Sequence, residues 1–112
     1  MNQVKPFVKV TLDKERNLKL DMNAMIAFEE ATGKSWLKGD VNPDKLKLKE
    51  YCTLIWSMLL TDDPALTLKQ LIAMTDIMTL KRLSPFINQA VCIAMEIDRE
   101  DAPPLAESPQ PG

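Results

Sequence analysis

Val8-Lys9-Val10-Thr11-Leu12-Asp13-Lys14-Glu15-Arg16-Asn17-Leu18-Lys19-Leu20-Asp21-Met22-Asn23-Ala24-Met25-Ile26-Ala27-Phe28-Glu29-Glu30-Ala31-Thr32-Gly33 changes its hydrophobic period partway, from two to about three and a half. Phe7 to Leu12 alternates apolar and polar residues, Asp13 to Asn17 forms a charged turn, and Leu18-Lys19-Leu20 resumes the alternation. That pattern predicts a β-hairpin over about 7–20. At Asp21 the rule changes: its carboxylate suits the orphan N–H groups of a first helical turn, with Leu20 and Met25 at the positions of a hydrophobic staple. Asn23 competes for the cap. Met22, Met25, Ile26 and Phe28 then form one broad apolar face, Gly33 stops the helix, and Lys34 is placed to reach back towards Glu30.

Working outward, Lys34 to Asp40 reads as an irregular segment anchored by Trp36 and Leu37. Asn42-Pro43-Asp44 is a helix-start signal, since proline is tolerated in a first turn and an acid suits the positive end of the dipole. Leu48, Tyr51, Cys52, Ile55 and Leu59 follow helical spacing, but Leu54, Trp56, Met58 and Leu60 fill the neighbouring faces. A surface helix needs one apolar stripe, so the segment from Tyr51 to Leu60 is expected at the centre of the fold. Asp62-Asp63-Pro64 ends it. Thr67-Leu68-Lys69-Gln70 matches a capping box for a shorter helix with Leu68, Leu71 and Ile72. Ile77, Leu80 and Leu83 continue an apolar spacing, and Ser84-Pro85 reads as the cap and first residue of a last helix, with Phe86, Ile87, Ala90, Val91, Ile93, Ala94 and Ile97 apolar. A charged exit follows at Asp98-Arg99-Glu100-Asp101. The expected architecture is a small, mainly α-helical α+β domain over 1–101, its hairpin packed on about four or five helices, with a disordered proline-rich tail over 102–112.

Composition limits function. The chain has 112 residues, 46% of them hydrophobic, which is enough for one modest core. A formal net charge of -2 gives no general attraction for nucleic acid or an anionic membrane. No apolar run approaches the roughly 20 residues that span a bilayer, and nothing near Met1 resembles a signal peptide, so a soluble cytoplasmic protein is expected. There is no histidine, which removes Ser-His and Cys-His dyads and the commonest nitrogen ligand for zinc or iron. Cys52 and Cys92 lie in separate helical patterns without Cys-x-x-Cys spacing and read as reduced thiols.

The acid pairs Glu29-Glu30 and Asp62-Asp63 read as structural charges, on the polar side of a helix and in a turn. Asp13, Glu15 and Asn17 alternate like calcium-loop ligands but lack the glycine and the distal glutamate of that loop. Thr67 to Val91 has the outline of a helix-turn-helix, yet Asp76 stands where a turn glycine is often found, and only Lys81 and Arg82 are placed to neutralise phosphate. Neither a metal site nor a cofactor site is expected. Met22, Met25, Met58, Met74, Met78 and Met95 are frequent for a domain of this size, and flexible thioethers suit core gaps or an adaptable binding face.

The stretch from Leu18 to Trp36 resembles the opening of the tail assembly chaperones of long-tailed, siphovirus-type bacteriophages. The later order is similar to that family too: an apolar helix with Leu54-Ile55-Trp56, the break at Asp62-Asp63-Pro64, a Leu66-Thr67-Leu68 restart and a final apolar helix. The resemblance spans Val8 to about Glu100. It implies a non-enzymatic chaperone that binds unassembled tail tube subunits in the host cytoplasm, brings them to the tape measure protein and is absent from the mature virion. It also implies, as that family often shows, a longer frameshifted product, for which the stretch after Ala102 suits a linker. Partners would be those two phage proteins, with no nucleic acid, no membrane, and self-association compatible with the reading. The family offers no catalytic residues to carry over. Candidate contact residues are therefore Trp36 and Trp56, each also a core candidate, and Met22, Met25, Met74 and Met78. Two rivals from other classes are a structural tail or connector component retained in the virion and a small helix-turn-helix DNA-binding regulator.

Overall fold

The computed structural model describes residues 7–95. Strands β1 (Val8–Thr11) and β2 (Glu15–Leu18) form an antiparallel hairpin, followed by helices α1 (Met22–Thr32), α2 (Leu48–Leu59), α3 (Leu68–Ala73) and α4 (Ile77–Met95), with one 3₁₀ turn at Pro43–Lys45. The domain is α+β, a hairpin packed against four helices. The expected boundary at 101 and the tail 102–112 lie outside the described residues.

Val8 and Val10 point into the core while Lys9 and Thr11 face out, as the alternation requires. The second strand lies earlier than the alternation placed it. Thr11 pairs with Glu15 and Val8 with Leu18, so Glu15-Arg16-Asn17 belongs to the strand instead of the turn. Polar residues suffice there because their side chains are engaged. The Arg16 guanidinium donates to Asp13 at 2.7 Å and to Asp63 at 3.1 Å, while Asn17 Nδ2 and Lys19 Nζ donate to Asp62 at 3.1 and 2.8 Å. Asp62-Asp63, in the turn after α2, therefore fastens the hairpin to the helical layer. Lys19 N–H to the Met58 carbonyl and Arg82 Nη2 to the Thr11 carbonyl add two further ties.

These ties set an acid sensitivity. The Arg16 hydrogen bond holds the Asp13 carboxyl down, from 3.8 to about 2, and Lys19 with Asn17 lowers that of Asp62. Both carboxylates are easier to ionise folded than unfolded; the Asp13 contribution is present above pH 3.8 and is lost as pH falls through about 2, and the Asp62 contribution is likewise lost on acidification. A Tm-against-pH series should slope downward over that window, and Asp13→Asn should flatten the slope. Partial exposure of both groups keeps the effect small.

Asp21, and not Asn23, caps α1: its Oδ1 accepts from the Ala24 N–H at 2.9 Å. Gly33, at φ 79°, closes the helix through its N–H to the Glu29 carbonyl. Lys34 turns away from Glu30 and pairs with Glu50 of α2 at 3.8 Å, crossing between helices. α2 is the central helix. Leu54, Ile55 and Met58 are fully buried, and the buried hydroxyls of Thr53 and Ser57 are satisfied by the carbonyls of Lys49 and Leu54. Asn42-Pro43-Asp44 starts only the 3₁₀ turn; α2 begins at Leu48, where Glu50 accepts from the Lys47 N–H. The Thr67–Gln70 capping box forms in both directions, at 3.0 and 2.9 Å.

Ser84-Pro85 does not start a helix. α4 runs unbroken from Ile77 to Met95, capped by Asp76, whose Oδ1 accepts from the Thr79 N–H at 2.8 Å, with Pro85 inside. The helix continues through Ser84-Pro85 because the buried stripe Leu80, Leu83, Ile87, Ala90 and Val91 runs on across the proline, which sits on the exposed side. Pro85 and Lys81, whose carbonyl loses its partner to the proline, are both solvent-exposed, so water replaces the missing bond. Pro85→Ala should restore that bond and raise stability by about 1–2 kcal/mol, the helix gain of about 3 reduced by a looser unfolded chain. Thermal unfolding measures it.

Candidate functional site: an apolar groove where three helices meet

The first residue of α2, the end of α3 and the first turn of α4 converge. Leu48, Ile72 and Ile77 are 58%, 43% and 52% exposed, although each is a large aliphatic side chain. They ring an open depression of about 560 Å³ that also meets Lys49, Cys52, Thr75, Asp76 and Leu80. A second depression, of about 490 Å³, shares Leu48, Ile77 and Leu80 and continues along Pro43, Leu46, Tyr51 and Ser84. Leu80 and Cys52, both buried, form the floor. Burial raises the Cys52 thiol and the Tyr51 phenol above their ordinary ranges, so both stay neutral at physiological pH. The result is a concave, largely aliphatic surface with polar groups at its margins, the composition expected of a protein-binding groove.

The groove exists because each helix terminus carries one apolar residue beyond its core stripe. Leu71 is fully buried and Ile72 is the next residue along α3, so it is swung out. Leu80 and Leu83 take α4 into the core, leaving Ile77 on the first turn. The spacing of these residues is visible in the sequence, where it reads as core. Their exposure depends on where the helices end.

The candidate contact residues divide into three groups, and none of them lines this groove. Trp36 is 8% exposed and packs tilted on Phe28, ring centroids 5.7 Å apart, with its backbone N–H held by Glu29 Oε2 at 2.8 Å. Leu37, expected to anchor the same loop, is 99% exposed instead. Trp56 is half-buried, and its Nε1 donates to the Leu66 carbonyl at 2.9 Å, which ties α2 to the segment before α3. Met25 and Met74 are partly buried against the core. Met22 and Met78 are exposed; Met22 lies one turn from exposed Ile26 on α1, and Met78 follows Ile77. The structure thus brings Met78 next to the groove in sequence and places the two tryptophans in structural roles.

The tryptophans make a paired prediction. Among the described residues, Trp36 Nε1 is buried without a hydrogen-bond partner, whereas Trp56 Nε1 has one. Trp56→Phe should therefore cost about 1 kcal/mol more than Trp36→Phe, the value of one buried hydrogen bond. Urea unfolding of both variants measures the difference.

Among the described residues no group of three or more Cys, Asp or Glu side chains is arranged to hold a metal ion, and no helix is long and apolar enough to cross a membrane. Both cysteines are free thiols. Of the two phosphate-binding candidates in the helix-turn-helix outline, Arg82 donates through Nη2 to the Thr11 carbonyl. In comparisons with known proteins, no family model, no curated protein and no solved structure matches this chain.

Proposed function

We propose that this chain is a tail assembly chaperone of a long-tailed bacteriophage. It holds unassembled tail tube subunits non-covalently at the Leu48–Ile72–Ile77 groove and brings them to the tape measure protein. The observation that carries the binding step is the groove itself: three exposed aliphatic side chains around a buried floor, on rigid helix ends. The resemblance of Leu18 to Trp36, and of the order from Leu54 to the last helix, supports the choice of client.

The physics required is masking. Unassembled tube subunits expose sheet edges and apolar segments that associate prematurely, and a partner that covers them delays that association. An aliphatic groove with neutral Cys52 and Tyr51 gains free energy from burying such a segment. Coexpression of the chain with a major tail tube protein is the test. Capture of the tube protein in a stable soluble complex is the expected outcome, and recovery of two separate proteins contradicts the proposal.

A further inference from the structure

We propose that the same groove takes the chain's own acidic segment after Met95, with Leu105 as its apolar anchor, so that this segment competes with any client for the surface. The inference does not depend on which client is correct. It rests on charge, reach and apolar content.

Lys49 and Lys81 line the groove, and exposed Lys45 and Lys47 flank the lining residues Asp44, Leu46 and Leu48 in the chain. Among the described residues none of these four lysines forms an ion pair. Asp44 and Asp76 are the acids lining it, and the Asp76 carboxylate already accepts the Thr79 N–H. The lining itself holds two lysines and two acids, and exposed Lys45 and Lys47 beside it make the surroundings net positive in a chain of net charge -2. Glu96, Asp98, Glu100, Asp101 and Glu107 follow α4, with Arg99 the single cation among them. The two regions are opposite in sign.

Geometry permits the return. The groove lies at the start of α4 and the acidic segment leaves from its end, about 27 Å away at 1.5 Å per residue. Glu96 to Leu105 spans up to roughly 33 Å when extended, enough to bring Leu105 back to Ile77. After Ile97, Leu105 is the one bulky aliphatic residue, and it follows Pro103-Pro104. Prolines restrict the chain before binding, which lowers the entropy cost of docking. Tethering supplies an effective concentration on the order of millimolar, so even a weak contact is substantially occupied. A client then meets a groove whose apparent affinity is reduced by the occupied fraction.

The test uses the full chain with Leu105 replaced by the photo-crosslinker p-benzoyl-phenylalanine, and needs no client. Crosslinks should map to Leu48–Cys52 and Ile72–Leu80, form within one molecule, keep their yield on dilution and fall several-fold at about 1 M salt. Because the probe is itself apolar, a variant carrying it together with Asp98→Asn, Glu100→Gln and Asp101→Asn isolates the charge contribution; its yield should fall several-fold at low salt. Crosslinks spread over the surface, concentrated on the hairpin, or found only between two copies overturn the proposal, as does an unchanged yield in the neutralised variant.

Discussion

Phe28→Ala should cost about 3–5 kcal/mol, the range for truncating a fully buried aromatic side chain. A native domain holds roughly 5–15 kcal/mol in all, so this one change should leave a large fraction of the chain unfolded at physiological temperature. The reason is the position of Phe28. It is fully buried on the inner face of α1, beside fully buried Ala24, and its ring packs on Trp36. Removing it opens a cavity between α1 and α2 and also releases the Trp36 loop, because the indole loses its ring contact. Guanidinium unfolding followed by tryptophan fluorescence measures both effects. Phe28→Leu, which keeps most of the volume, should recover more than half of the lost stability.

Ile72→Glu with Ile77→Glu should leave the fold intact and weaken client binding about 100-fold, or roughly 2.7 kcal/mol. Both side chains are about half exposed in the free chain, so their replacement should change folding stability by only about 0.5 kcal/mol each. In a complex the same positions are covered, and two carboxylates facing a buried apolar segment must be desolvated without partners. Met22→Glu, on exposed α1 surface with Ile26 and outside the groove lining, is the matched control and should bind as the parent does. Calorimetric titration against the tail tube protein separates the two variants, and unchanged thermal unfolding excludes loss of fold as the cause.

The local rules were legible where one residue type decides one geometry. Asp21 and Gly33 bound α1, Thr67 and Gln70 form their box, and the all-round apolar pattern from Tyr51 to Leu60 marks the central helix. The misreadings occur where two geometries share a pattern. Ser84-Pro85 suits a helix start better than a helix interior, and the Asp76 cap eight residues before Ser84, with the buried stripe that crosses the proline, decides the choice. Glu15-Arg16-Asn17 reads as turn because all three residues are polar, and the acids that engage the Arg16 and Asn17 side chains, Asp63 and Asp62, lie far away in the chain. The groove was hidden for a similar reason. Leu48, Ile72 and Ile77 satisfy helical spacing, but each stands at a helix end and stays about half exposed among the described residues. The two tryptophans attracted attention by size, and their hydrogen-bonding and ring contacts show that size serving the core.

If this chain holds tail tube subunits apart until they reach the tape measure protein, as proposed, it must delay their polymerisation. The lag time of tail tube polymerisation, followed by light scattering against increasing amounts of the full chain, tests it most directly. The prediction is a lag that lengthens in proportion to the chain up to a fixed ratio and is lost with the Ile72→Glu, Ile77→Glu variant. A tube protein that polymerises with the same lag at every ratio would contradict it.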